Sequence, residues 1–217
     1  MVNKEDIANL TAREVAQRLE PYGVALGGNL RADKITAYIS LLLRWNKAIS
    51  LTTVTDPGEI LRFHFGESLF ASSFLDLKNG RLADVGSGAG FPGLPLAMAN
   101  QSLNVTLIES NAKKAAFLSE VTRSLELQDV TVARSRMEDL PADSKPFDFI
   151  TARALGQFDS LLSWAHNHVS KDGRIILWLG ESDIKTVSAN SSWQWQPPVQ
   201  IPGSDRRFIL VGSTKKS

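Results

Sequence analysis

The stretch Leu82-Ala-Asp-Val-Gly-Ser-Gly-Ala-Gly-Phe-Pro-Gly93 decides the fold of this chain. Its first four residues predict a buried β-strand that carries Asp84. Gly86, Gly88 and Gly90 then predict a turn in which no side chain separates a ligand from the backbone. A helix follows, and its exposed N–H groups and dipole favour an anionic group. The sequence therefore predicts a binding site for either a dinucleotide pyrophosphate or the carboxylate of S-adenosylmethionine.

The glycine spacing favours one of these ligands. A dinucleotide fingerprint has the form Gly-x-Gly-x-x-Gly, with Gly or Ala at the last position, whereas this chain has Gly-x-Gly-x-Gly and places Phe91 there. The next predicted strand leads to Glu109, 23 residues after Gly86. A carboxylate at that strand end can accept hydrogen bonds from both ribose hydroxyls, which either ligand carries. The order of these parts predicts a nucleotide cofactor rather than a structural turn, and the spacing favours S-adenosylmethionine over a nicotinamide.

Strands and helices alternate from residue 81 onward. Predicted strands cover 81–85, 104–109, 130–134, 147–152 and 173–179, and predicted helices cover 92–100, 111–127 and 157–169. This alternation predicts a parallel sheet that binds ligands at the carboxyl ends of its strands. Residues 193–202 and 206–213 resemble two consecutive strands, which predicts a final antiparallel hairpin. The predicted fold is α/β, the seven-stranded class I (Rossmann-like) S-adenosylmethionine-dependent methyltransferase fold.

The first part of the chain has helical periodicity instead. Thr11 to Glu14 has the form of a capping box, and Asp56 with Pro57 is typical of another helix start. Residues 1–78 are therefore predicted to form an N-terminal helical extension packed on the core. Residues 79–217 are predicted to form the S-adenosylmethionine-binding methyltransferase domain.

Composition excludes several classes of protein. The chain has 217 residues, a net charge of +1 and no cysteine, which excludes disulfides, cysteine-ligated iron–sulfur clusters and a cysteine nucleophile. Its three histidines are too scattered in the sequence to predict a metal site. The absence of an apolar leader or of a run long enough to span a membrane predicts a cytoplasmic protein. We expect no obligatory protein partner and a monomer.

Further candidate residues follow the other strands. Met137 and Glu138 come after the third predicted strand, where they are expected to contact the adenine of a cofactor, although they also suit a helix start. Arg153 follows the fourth strand and is predicted to reach the cofactor carboxylate or a substrate phosphate; the alternative is a structural ion pair, for instance with Asp84. For phosphate contacts with an RNA the candidates are Lys113, Lys114, Arg123 and Arg136, all expected on the cofactor side of the sheet.

Absent residues narrow the methyl acceptor. Methylation at C5 of a pyrimidine needs a cysteine, and methylation of exocyclic amino groups generally uses an Asn/Asp-Pro-Pro-aromatic loop where this chain has Ala152-Arg-Ala-Leu155. Guanine N7 needs neither device, because its lone pair is free at neutral pH and no proton leaves. Catalysis would then be positioning alone, worth about 7–11 kcal/mol at best. A ribose hydroxyl or another RNA nitrogen remains open as the acceptor.

The sequence also resembles a known family. Residues 84–93 are very similar to the Asp-Val-Gly-(Ser/Thr)-Gly-x-Gly-(Leu/Phe)-Pro-Gly signature of the bacterial 16S rRNA guanine-N7 methyltransferases, the glucose-inhibited division protein B family. Further motifs occur in the family's order: Trp45-Asn46, Leu51 to Val54, His64, Ser68-Leu69, Lys113-Lys114, Phe117-Leu118, Arg136 to Glu138 and Arg153-Ala154.

This resemblance implies N7 methylation of one guanine in the decoding-region loop of 16S rRNA, on free rRNA or the small ribosomal subunit. It also implies cofactor contacts from Gly86, Phe91, Met137, Glu138 and Arg153. Two residues depart from the pattern: Glu67 stands where an Asp usually precedes Ser-Leu, and Leu179 stands where Lys is common. A nicotinamide oxidoreductase and a non-catalytic RNA-binding protein are the alternatives from other functional classes.

Overall fold

The computed structural model describes residues 10–28, 30–140, 145–153 and 156–215 of the chain. The third helix is one continuous run, in which a π-helical segment, Leu61–Gly66, joins two α-helical turns, Pro57–Ile60 and Glu67–Phe70. The helices are α1 (Ala12–Leu19), α2 (Ala32–Asn46), α3 (the run just given), α4 (Gly93–Ala99), α5 (Ala112–Ser124), α6 (Phe158–His168) and α7 (Glu181–Ser188). No helix in these ranges is long and apolar enough to cross a membrane.

The strands form one sheet with the order β3-β2-β1-β4-β5-β8-β6, and β7 also pairs with β8. The first five are parallel to their neighbours, and β8 is antiparallel to β5. The strands are β1 (Gly80–Val85), β2 (Leu103–Ile108), β3 (Val130–Ala133), β4 (Phe147–Arg153), β5 (Val169–Gly180), β6 (Trp193–Trp195), β7 (Val199–Gln200) and β8 (Arg207–Thr214). The carboxyl ends of β1 to β5 therefore meet at one edge.

The predicted last hairpin exists, but its first strand is interrupted. β6 pairs Trp193 with Thr214, β7 pairs Val199 with Ile209, and the register shifts by one residue between them. Pro197 and Pro198 lie in this gap, and proline has no N–H to donate to a ladder. The two segments share one edge of β8, so the eight strand segments occupy seven positions, as the fold prediction requires. The sequence analysis did not predict α7.

The helix starts read from the sequence are confirmed. The Thr11 hydroxyl accepts a hydrogen bond from the Glu14 N–H, and the Glu14 carboxylate accepts from the Thr11 N–H at 2.8 Å. Asp56 accepts from the Glu59 N–H at 2.8 Å, with Pro57 in the first turn. These contacts satisfy N–H groups that have no partner inside a helix.

The N-terminal helices pack on one face of the sheet. Leu19, Tyr38 and Phe65 of these helices share a hydrophobic core with Leu82 of β1 and Trp178 of β5. The opposite face has a second core, formed with α6 and α7. Residues on both sides of the predicted boundary at 78/79 therefore belong to one core, and the division into two domains stays a prediction.

Candidate active site

The glycine turn after β1 exposes its backbone at one position in particular. Gly86 and Gly88 have φ values of +69° and +55°, a region that side chains rarely adopt. A Cβ on Gly88 would have only the Gly86 carbonyl oxygen near it, at 3.7 Å. Gly88 therefore lies beside open space, and its Cα faces that space; a ligand contact there stays a prediction.

Gly90 is required for a different reason. Its φ is +89°, and a Cβ there would collide with the Tyr38 hydroxyl and with Leu94. The Tyr38 hydroxyl donates a hydrogen bond to the Ala89 carbonyl at 2.5 Å, which ties α2 to the turn. The tertiary structure thus gives Gly90 a packing role that the sequence pattern did not reveal. A cofactor contact at Gly90 stays a prediction.

Asp84 lies inside the protein, under the turn. One carboxylate oxygen accepts from the Thr151 hydroxyl at 2.8 Å, and the other accepts from the Gly93 N–H at 3.3 Å. Burial raises the pKa of Asp84 to about 6, against the lowering effect of the hydrogen bond from Thr151. The carboxylate therefore braces the turn against β4 and the start of α4, and a direct cofactor contact by Asp84 stays a prediction.

Glu109 follows β2 and reaches across to the glycine turn. Its two carboxylate oxygens accept from the Gly88 N–H at 2.9 Å and from the Asn111 N–H at 2.8 Å. Glu109 is 8% exposed, which leaves it at the boundary between the interior and the open space beside Gly88. The structure therefore brings together the turn and the acid that the sequence spacing paired.

The Phe91 side chain packs in the core beside the glycine turn. Its ring stacks on Tyr38, with centroids 5.3 Å apart, and on His64 at 4.8 Å. The Nε2 atom of His64 is 2.8 Å from the Thr52 hydroxyl. Burial, together with the smaller effect of the nearby Arg153 charge, lowers the pKa of His64 to about 4. His64 is therefore a neutral packing residue at pH 7.

Met137 and Glu138 lie in a 3₁₀ turn, Met137–Asp139, beyond the carboxyl end of β3. Met137 packs against the second core, whereas Glu138 is exposed. Because β3 and β2 are neighbours, both residues follow the strand next to Glu109. Their predicted adenine contacts fit this position and stay predictions.

Arg153 ends β4 and forms a buried ion pair with a partner that the sequence did not predict. Its guanidinium is 3.0 Å from the carboxylate of Glu67 on α3, and it donates to the Phe63 carbonyl at 2.8 Å. Arg207 of β8 approaches the other oxygen of Glu67 at 2.8 Å. The sequence analysis gave Asp84 as one possible ion-pair partner of Arg153. In the structure the partner is Glu67, because α3 packs over the end of β4. A contact of Arg153 with a cofactor stays a prediction.

Comparison with known proteins identifies the family. The family model described as rRNA small subunit methyltransferase G (GidB) matches residues 31–201. The chain belongs to this family. A relative named ribosomal RNA small subunit methyltransferase G from Xanthomonas axonopodis pv. citri is 37% identical over 185 residues, which cover 83% of this chain and 86% of that protein. The protein of that name from Shigella flexneri is 31% identical over 202 residues, covering 91% and 96%.

Solved structures confirm the fold class of this methyltransferase G family member. Precorrin-6y C5,15-methyltransferase from Geobacter metallireducens has a TM-score of 0.59 at 10% identity, over 76% of this chain and 91% of that chain. Ribosomal protein L11 methylase from Lactobacillus delbrueckii subsp. bulgaricus has a TM-score of 0.59 at 18% identity, over 71% and 80%. Both likenesses concern the fold alone.

The four basic residues predicted to bind RNA do not lie together in this methyltransferase. Lys113 and Lys114 are in the first turn of α5, at the carboxyl edge of the sheet, and the exposed Arg136 precedes the 3₁₀ turn at the same edge. Arg123 is in the last turn of α5. At a rise of about 1.5 Å per residue, it lies about 15 Å away, at the opposite edge. The expectation that all four residues lie on the cofactor side is therefore wrong for Arg123, because α5 runs from the carboxyl edge of the sheet to the opposite edge. A contact between Arg123 and RNA stays a prediction.

Sequence reasoning missed a pocket beyond Arg153. A cavity of about 480 Å³ opens at the carboxyl ends of β4 and β5, lined by Arg153, Trp178, Asp183 and Arg207 among others. Both departures from the family pattern, at Glu67 and at Leu179, lie in the lining of this cavity. Residues 154 and 155, in the loop on which the acceptor argument relied, lie outside the described part of the chain. Within the described ranges, no group of three or more metal-ligating side chains converges.

Proposed function

We propose that this protein transfers a methyl group from S-adenosylmethionine to N7 of one guanine in the decoding-region loop of 16S rRNA. Membership in the methyltransferase G family gives the enzyme class, a methyltransferase of small-subunit rRNA. The observation that carries the site assignment is the open glycine turn beside a carboxylate, Gly88 next to Glu109.

The residues around the turn fit S-adenosylmethionine. The space that a Cβ on Gly88 would enter gives a ligand access to the backbone. Glu109 stands at the neighbouring strand end, where its carboxylate can accept from ribose hydroxyls. Phe91 packs in the core next to the turn, and Met137 with Glu138 follows the next strand along the same edge. These residues, with Gly86 and Arg153, are the proposed cofactor contacts.

The site needs no general base for an N7 acceptor. S-adenosylmethionine, when bound, supplies a methyl group on a positively charged sulfur. Transfer of that methyl group to the N7 lone pair would leave the positive charge on the guanine ring and release no proton, so no side chain of this protein would have to accept one. His64 bonds to Thr52 and Asp84 is enclosed under the turn, so neither faces the open space as a base. The residues of this chain contribute positioning.

The decisive test maps methylated guanine in rRNA. We expect mass spectrometry of 16S rRNA fragments to find one 7-methylguanosine that is lost when the gene is deleted and restored by the wild-type chain, but not by Gly88→Val. The mass and position of the lost methyl group identify the acceptor. A methyl lost from a ribose or from another base nitrogen would replace the N7 assignment, and an unchanged modification pattern would reject the function.

The small ribosomal subunit or its rRNA is the proposed partner, and a monomer in the cytoplasm is the proposed state. Since rRNA is the substrate class of the family, the enzyme is expected where ribosomal subunits assemble. Sedimentation of the purified protein with and without small subunits tests both proposals.

A further inference from the structure

The cavity beyond Arg153 has the composition of a base-binding pocket. Phe158, Trp178, Leu179 and Ile201 contribute apolar surface to its lining. Its volume of about 480 Å³ lies within the range of about 300–1,000 Å³ that is typical of small-ligand sites. Enzymes that modify a base move it out of the stack into such a pocket and recognise it by its hydrogen-bonding edge.

The charges in the lining favour a neutral polar ring over a phosphate. Arg153 and Arg207 carry two positive charges, and Glu67 and Asp183 carry two negative ones, so the formal charges cancel. A phosphate site would have an excess of positive charge. A guanine base is neutral and presents both acceptors and donors, which matches a lining with charges of both signs.

Asp183 is the charged group of this lining that is available to a ligand. Glu67 already pairs with both arginines at 3.0 and 2.8 Å. The half-buried Asp183, in the first turn of α7, forms no hydrogen bond or ion pair with any described residue through its carboxylate. Arg153 also has a free donor, because its buried Nη1 atom has no hydrogen-bond partner in the described structure.

The order of these groups along the sheet edge matches the order of groups around guanine. The glycine turn follows β1, Arg153 ends the neighbouring β4, and Asp183 follows β5, the next strand. Neighbouring strands are about 4.8 Å apart, so the three groups form a row about 10 Å long. In guanine, N7, O6, N1–H and the 2-amino group follow one another around the rings. With N7 toward the turn, O6 faces Arg153 and the two N–H donors face Asp183.

We propose that Asp183 recognises the Watson–Crick edge of the target guanine, accepting hydrogen bonds from N1–H and the 2-amino group. This inference rests on the proposed function and adds a specificity residue to it. A carboxylate here distinguishes guanine from adenine, which has no N1–H donor and no 2-amino group. It also attracts the positive charge that N7 methylation places on the ring, so the contact strengthens toward the transition state.

The test combines a protein variant with a base variant. Small subunits are reconstituted with rRNA that carries either guanosine or inosine at the mapped position, since inosine lacks only the 2-amino group. For the wild type we expect kcat/KM to fall about tenfold on inosine, the effect of one hydrogen bond to a charged group. Asp183→Ala should lose about 10- to 100-fold on guanosine, and it should methylate the guanosine and inosine substrates at equal rates.

Two controls separate recognition from folding. Glu181→Gln, at the exposed first residue of the same helix, should keep both the wild-type rate and the wild-type preference for guanosine. Asp183→Ala should keep the wild-type affinity for S-adenosylmethionine in calorimetry. An equal wild-type rate on both substrates, or a preference for guanosine that persists in Asp183→Ala, overturns the role of Asp183 while leaving the proposed function intact. A wild type that forms no 7-methylguanosine on the guanosine substrate overturns both.

Discussion

Replacing Glu67 by glutamine tests how much the ion pairs of Glu67 with Arg153 and Arg207 stabilise the folded protein. The Glu67 side chain is 2% exposed and lies 3.0 Å from Arg153, whose side chain is 19% exposed. Glutamine keeps the size but removes the charge, which leaves a buried guanidinium without its counter-ion. Breaking a buried ion pair in this way costs about 3–5 kcal/mol.

Two features place the expected cost at the lower end of that range. Arg207, the second partner, is 37% exposed, so water can solvate its charge. Burial raises the pKa of Glu67 despite the lowering effect of Arg153 and Arg207, so the ionised acid is less stable here than it is in water. We expect a loss of about 3 kcal/mol in the free energy of unfolding. For a chain of this length, this corresponds to a decrease in Tm of about 6–12 °C.

Urea denaturation followed by circular dichroism provides the assay, in a double-mutant cycle with Arg153→Met. If the two side chains stabilise each other, the double variant should lose at least about 1 kcal/mol less than the sum of the single losses. Asp33→Asn is the matched control, because the Arg31–Asp33 pair has a 2.8 Å contact but side chains that are more than 60% exposed; its urea midpoint should not change. Strictly additive losses, or a Glu67→Gln midpoint equal to that of the control, would refute the reasoning.

Four further predictions concern the proposed cofactor site, the proposed RNA contacts and the titration of His64. Gly88→Val should abolish S-adenosylmethionine binding in calorimetry while circular dichroism stays native, because the side chain enters the space beside the turn; unchanged affinity would reject the site. Glu109→Ala should weaken that binding by about 1–3 kcal/mol, and a change in dissociation constant below about threefold would mean that Glu109 does not face the cofactor. Lys113→Ala and Arg123→Ala should each reduce the slope of log affinity for rRNA against log salt by about 0.7–0.9, and an unchanged slope for Arg123→Ala would restrict the RNA surface to the carboxyl edge. Since the pKa of His64 is about 4 in the folded protein and 6.5 in its reference state, the unfolded state takes up the proton first. The free energy of unfolding should therefore decrease as the pH falls from about 6.5 to 4, and His64→Gln should not show this decrease. The methyl-transfer rate of the wild type should not fall near pH 6.5; a fall there that disappears in His64→Gln would show that His64 acts as a base.

The sequence by itself determined the fold class and the cofactor side of the site. The strand before Gly86, the helix after it and the acid at Glu109 are fixed by local pattern and spacing, because parallel strands end at a common edge. The structure confirms their arrangement and adds a hydrogen bond from the Gly88 N–H to Glu109 that the sequence did not predict. Helix caps such as that at Thr11 are likewise local and were predicted correctly.

Which residues surround the pocket beyond Arg153 was decided only by the tertiary structure. Glu67, Asp183 and Arg207 are separated from Arg153 by 86, 30 and 54 residues, and neither periodicity nor spacing relates positions so far apart. They meet because α3 packs over the end of β4 and because β8 inserts antiparallel beside β5. The pattern of charges in the sequence also did not predict that α5 places Arg123 far from Lys113. Local signals act over a few residues, whereas the pocket beyond Arg153 is made by packing between distant segments.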